Sequence, residues 1–132
     1  MSKPEYLVIS RGKWDENLPP EHIQKAIDEF YVWLDRMVDE GKMKRGQRLG
    51  NGGATVTGQK ILTDGPFGEA KEVIGGYWFV LADSLAEAAQ IASSSPCLQC
   101  GLFYEIRPFA SELASAFKVT NETPKAGLKR ES

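Results

Sequence analysis

The residues best suited to chemistry stand together in one stretch, Asp64-Gly65-Pro66-Phe67, with Glu69, Lys71 and Glu72 close behind. A carboxylate at a strand end, followed by a Gly-Pro bend, is held in place by its own turn. If burial raises its pKa it can act as a base; otherwise it can hold a cationic or hydroxyl group. The same residues also read as a plain turn, in which Asp64 accepts backbone N–H bonds and Phe67 plugs the core. In the functional reading Asp64 is the catalytic group and Phe67 lines a pocket beside it.

Three cations could serve that pocket. Arg48 and Arg107 lie on predicted strands, where a guanidinium can grip a carboxylate or phosphate by a forked pair of hydrogen bonds. Lys71 is the third. Pairing with Asp64, Glu69, Glu72 or Glu105 is the competing reading for all three, and the commoner fate of surface charges. Tyr77 belongs to an aromatic run, Tyr77-Trp78-Phe79, which is core or interface in one reading and pocket wall in the other.

The remaining motifs carry less. His22 is the only histidine and sits in the first turn of a predicted helix, with no placed partner for an acid–base pair. Cys97-Leu98-Gln99-Cys100 has redox or half-zinc spacing, but two further metal ligands are missing, and a thioredoxin-type motif follows a strand where this one follows a helix. Gly50-Asn51-Gly52-Gly53 lacks the Lys-Ser/Thr of a phosphate loop and reads as a turn. Neither a metal nor a cofactor is expected.

The bulk properties narrow the class. At 132 residues the chain is long enough for one domain with a real core. A formal net charge of −2 argues against nucleic acid as the main partner, since phosphate binding needs a basic surface. No apolar run reaches the ~18 residues of a membrane span. The N-terminal Met1-Ser2-Lys3-Pro4-Glu5 has no apolar signal segment behind it, and two cysteines are too few for a secreted disulfide framework, so the cytoplasm is the expected compartment.

The elements that must position these groups follow from periodicity. Tyr6-Leu7-Val8-Ile9-Ser10 reads as a buried strand. Pro20 opens a helix that runs to Glu40, with Ile23, Ala26, Phe30, Trp33, Leu34 and Met37 on one apolar stripe and Gly41 as its left-handed stop. A basic strand spans 43–49. A hairpin follows, with strands over 54–57 and 60–63. Residues 76–82 form the strongest strand, apolar on both faces and therefore central. Ser84 and Glu87 make a capping box for a second helix, and 101–108 form the last strand. Residues 110–117 are expected to add a short helical turn packed on the domain. The predicted organisation is one domain over 1–117 and a polar, flexible tail over 118–132.

This order predicts an α+β, ferredoxin-like βαββαβ domain with an inserted β-hairpin. Two helices cover one sheet face. The other face would carry apolar residues of the 77–81 and 102–106 strands, and a homodimer packed sheet to sheet is the simplest way to cover it.

The residues Leu62-Thr63-Asp64-Gly65-Pro66-Phe67, Glu69-x-Lys71-Glu72 and Gly75-Gly76-Tyr77 resemble the DGPF branch of the YCII-related family. Asp83-Ser84-Leu85-x-Glu87-Ala88 and Tyr104-Glu105-Ile106-Arg107-Pro108-Phe109 resemble the same family, and the likeness covers roughly Tyr6 to Phe109. The resemblance implies a ferredoxin-like fold and a dimeric α/β-barrel assembly. In the wider family it implies a His–Asp pair and, in one branch, similarity to a dehydrochlorinase of chlorinated hydroxyhydroquinone. Some bacterial members occur beside extracytoplasmic-function sigma factors. The family histidine corresponds to a position near Phe30, so its role does not carry over to His22. Two functions are therefore expected as alternatives. One is a cofactor-independent lyase or isomerase with a small-molecule pocket at Asp64, with Arg48 or Arg107 holding an anionic group and Tyr77 and Phe67 lining it. The other is a ligand-sensing or protein-interaction module in a sigma-factor circuit.

Overall fold

A computed structural model describes residues 3–63 and 73–124 of the chain. The first strand, β1, spans Glu5–Arg11 and the long helix, α1, spans Pro20–Asp39. Strand β2 (Met43–Arg48), the short strands β3 (Ala54–Val56) and β4 (Ile61–Thr63), and β5 (Ile74–Leu81) follow. Helix α2 (Leu85–Ala92), a 3₁₀ turn over Pro96–Cys100 and strand β6 (Phe103–Pro108) complete the order.

Four strands form one antiparallel sheet in the order β2-β5-β1-β6, and β3 pairs with β4 in a separate hairpin. The first strand lies inside the sheet, between two later strands. That is a split β-α-β pattern, and the α+β fold is compatible with a ferredoxin-like arrangement. Strand β5 is interior, as its two-sided apolar character requires.

Local signals set the helix ends. Pro19 is the N-cap of α1 and Pro20 takes its first position, where a missing N–H costs no hydrogen bond. At the other end Gly41 adopts φ +75°, and the Gly41 and Lys42 N–H groups donate to the Val38 and Met37 carbonyls at 3.0 and 2.9 Å, a Schellman closure. Helix α2 starts on its capping box: the Glu87 N–H donates to Ser84 Oγ at 3.1 Å, and Glu87 Oε1 accepts from the Asp83 N–H at 2.8 Å.

The core lies between α1 and the covered sheet face, where Val8, Trp33, Leu34, Met37, Trp78 and Val80 form one buried cluster. Even-numbered residues of β1 face this core: Val8 and Ser10 are buried while Leu7 and Ile9 are only partly covered. Close approach of β2 to β5 depends on two glycines. A Cβ at Gly46 would meet the Tyr77 carbonyl oxygen at 1.9 Å, and one at Gly76 would meet the Gln47 oxygen at 2.7 Å. The β2–β5 register shifts between Lys44 and Gln47, so an extra residue is accommodated there as a bulge.

The uncovered face carries Leu7, Ile9, Tyr77, Phe79 and Leu81, all partly exposed. Phe79 meets Tyr77 edge-on at 5.8 Å and Phe109 at 6.2 Å. Residues 110–117 depart from expectation. They form turns and bends, all exposed, with Leu113 and Phe117 more than nine-tenths exposed. A segment this short is a marginal helix by itself, and it has no buried apolar face to fix it. Among the described residues no helix is long and apolar enough to cross a membrane.

Candidate functional site

A cavity of about 1180 Å³ lies between α1 and the sheet. Ile27, Phe30, Tyr31 and Leu34 of α1 form its roof. The sheet supplies the floor, and the rim comes from the end of β2 with Gly50–Gly52 and from Lys13 and Trp14 after β1. A single row of residues crosses the floor. Arg48 of β2 pairs with Gly76 of β5, Gly76 pairs with Ser10 of β1, and Ser10 pairs with Tyr104 of β6. Directly paired residues share a sheet face, so this row points toward α1.

Each member of the row has a distinct state. Arg48 is exposed and has no ion pair or side-chain hydrogen bond among the described residues. Gly76 leaves the middle of the row without a side chain. Ser10 is only 9% exposed, yet its hydroxyl has no hydrogen-bond partner among the described residues. The Tyr104 hydroxyl is 2.7 Å from Ser95 Oγ. Burial pushes the Tyr104 phenol well above its ordinary pKa, against the smaller opposing effect of the Ser95 hydrogen bond, so it remains a neutral donor.

Aromatic side chains stiffen this floor. Trp78 meets Tyr104 edge-on at 4.8 Å and Phe30 at 5.4 Å. The buried Trp78 Nε1 has no hydrogen-bond partner among the described residues, and these two rings are its aromatic neighbours. The described lining contains the cations Lys13, Arg45 and Arg48 and no carboxylate. Arg45 is engaged by Asp35 at 2.8 Å, which leaves Arg48 as the freer guanidinium.

The residues singled out from sequence are distributed unevenly about this cavity. Arg48 lines it. Tyr77 borders it through β5, while its ring packs against Phe79 on the opposite face. Arg107 stands apart, on the uncovered face, where Arg107 Nη1 and Arg11 Nε donate to Glu105 at 3.1 and 2.6 Å. Those two guanidiniums hold the Glu105 carboxyl below the usual carboxylate range, Arg107 contributing most. Asp64, Phe67, Glu69, Lys71 and Glu72 lie outside the described residues. His22 is exposed at the start of α1, whereas Phe30 forms part of the roof.

The cysteines sit in the 3₁₀ turn, and both are buried and free. Burial, with Cys100 adding to it, pushes the Cys97 thiol up to about 11, the opposite of what a nucleophilic or redox-active thiol needs. No group of three or more His, Cys, Asp or Glu side chains that could hold a metal occurs among the described residues.

Sequence reasoning missed Ser10 as a site residue. The available signal was a hydroxyl at the same strand parity as buried Val8, closing an otherwise apolar run. The roof residues Phe30 and Tyr31 were legible only as parts of a helix stripe and its margin.

These features define a small α+β protein with a ligand-sized chamber between its long helix and its sheet. A family model for the YCII-related domain matches residues 5–110, and the chain belongs to the YCII-related family. No curated protein matches it.

Proposed function

We propose that this YCII-related protein, in its DGPF branch by the Asp64–Phe67 stretch, binds a small molecule in the chamber beneath α1 and acts on it as a cofactor-independent lyase or isomerase. The observation that carries this reading is the coincidence, in one row of the same cavity floor, of a guanidinium, Arg48, and a hydroxyl, that of Ser10, neither of which has a side-chain partner among the described residues. A concave chamber with aromatic walls and a small number of placed polar groups is the usual form of a small-molecule site. In this reading Asp64 is the base or anchor, and Arg48 holds an anionic group. The uncovered sheet face, with Leu7, Ile9, Phe79 and Leu81, is buried by a second copy in a dimeric barrel.

One observation favours a sensing module instead. Phe30 occupies the roof where the family resemblance places a histidine, so the chamber has an apolar wall in place of an acid–base partner. Exposure of the protein to a small-molecule extract, followed by mass spectrometry of bound and free compounds, separates the two readings. An enzyme depletes a compound and forms a product, and Asp64→Asn stops the conversion while retaining the fold. A sensor retains the compound unchanged. Retention of nothing by the wild-type protein overturns both.

A further inference from the structure

The row across the cavity floor limits which molecules fit. Neighbouring strands lie about 4.8 Å apart, so the backbones of Arg48 and Ser10 are separated by roughly 10 Å, with Gly76 between them. Because Gly76 has no side chain, nothing from that position stands between the guanidinium and the hydroxyl. Above the row are Phe30 and Tyr31, beside it is Trp78, and Tyr104 ends it on β6. The charge of the described lining is entirely positive, and its one unengaged guanidinium, Arg48, is exposed to solvent.

We propose that the chamber takes a flat, rigid carboxylate carrying a hydroxyl or carbonyl oxygen at its far end, with Arg48 binding the carboxylate at the mouth and Ser10 reading the distal oxygen inside. This assignment rests on the small-molecule reading of the chamber and adds the ligand class. Arg48 supplies a charge-assisted, forked contact, which orients the ligand end-on. Gly76 lets a ring or conjugated plane lie against the strand. The Ser10 hydroxyl both donates and accepts, so it can pair with either oxygen type. Among the described residues nothing bonds the Ser10 hydroxyl, and it is not sealed from the cavity, so a ligand oxygen can reach it.

Two matched acids test this: benzoate and 4-hydroxybenzoate, which differ only in the distal hydroxyl, with toluene as a probe of the apolar chamber alone. Isothermal titration measures the acids, and ligand-observed saturation-transfer NMR measures toluene. The wild-type protein is expected to bind 4-hydroxybenzoate about fivefold more tightly than benzoate, the ratio one net hydrogen bond gives. Ser10→Ala brings the ratio to one and keeps its melting temperature, because the lost hydroxyl has no protein partner. Arg48→Met weakens both acids about tenfold or more and leaves toluene unchanged. Equal affinity of the two acids in the wild type, or a ratio unchanged in Ser10→Ala, overturns the proposal. If toluene binds while neither acid does, the ligand class is wrong and the chamber reading stands. If toluene fails to bind as well, both fall.

Discussion

Ser10 stands directly opposite Gly76 in the β1–β5 pair, a largely buried serine facing a residue with no side chain. Were position 76 larger, the covered sheet face would be filled at this point, as it is two residues along, where Val8 pairs with Trp78. The chamber is therefore the place where core packing stops.

Gly76→Ala tests that relationship. The added Cβ would meet the Gln47 carbonyl oxygen at 2.7 Å and the Arg48 Cα at 3.1 Å, both backbone atoms that cannot turn aside. Strand β2 would have to move, at a cost of about 1–3 kcal/mol of stability, in the range of overpacking effects. Urea denaturation measures it. An unchanged midpoint would mean that β2 is free to shift and that the floor is not fixed by this contact.

Acid sensitivity follows from Glu105. Its folded carboxyl is held below the usual range by Arg107 and Arg11, so its stabilising contribution is full above the unfolded pKa, near ~4.3, and is lost as pH falls through the lower folded value. Glu105→Gln is expected to cost about 1 kcal/mol at neutral pH and to flatten the decline of stability below about pH 4. Thermal melts of both proteins across that range check the sign. A steeper decline in the variant would contradict it.

The cysteines give an alkaline counterpart. Cys97 keeps its proton in the folded protein up to about pH 11, while in the unfolded chain it titrates near its ordinary value of 9.0. Its contribution to stability is therefore complete below about pH 9 and falls as pH rises toward 11. Neither thiol should react with a disulfide reagent at pH 8 until the protein is unfolded by denaturant. Fast native-state labelling of either cysteine would show that the 3₁₀ turn opens readily.

Phe79 probes the proposed dimer. It sits near the centre of the uncovered face, with its ring 5.8 Å from Lys44 Nζ. Light scattering at micromolar concentration should give twice the chain mass for the wild type and the single mass for Phe79→Glu, with the fold retained by circular dichroism. A monomeric wild type refutes the dimer directly.

Much of the fold was legible in the sequence because its signals are local. Pro20, Gly41, Ser84 with Glu87, and the apolar spacing along α1 act within a turn or two of chain. They set helix ends and faces wherever the helix lies. The 110–117 segment misled for the same reason: Leu113 and Phe117 have helical spacing, but spacing stabilises a helix only when a surface buries the stripe.

By itself the sequence determined the class: strands and helices in an α+β order, a family stretch at Asp64, and arginines on strands. Only the tertiary structure decided which arginine lines the cavity. A strand alternates its faces at every residue, so a bulge between Lys44 and Gln47 reverses the direction of everything beyond it. That bulge accompanies a register in which Arg48 shares a row with Gly76, Ser10 and Tyr104, while Arg107, paired with Leu7, falls on the opposite face with Glu105. Long-range pairing fixes such a register, and no local pattern in β2 carries it.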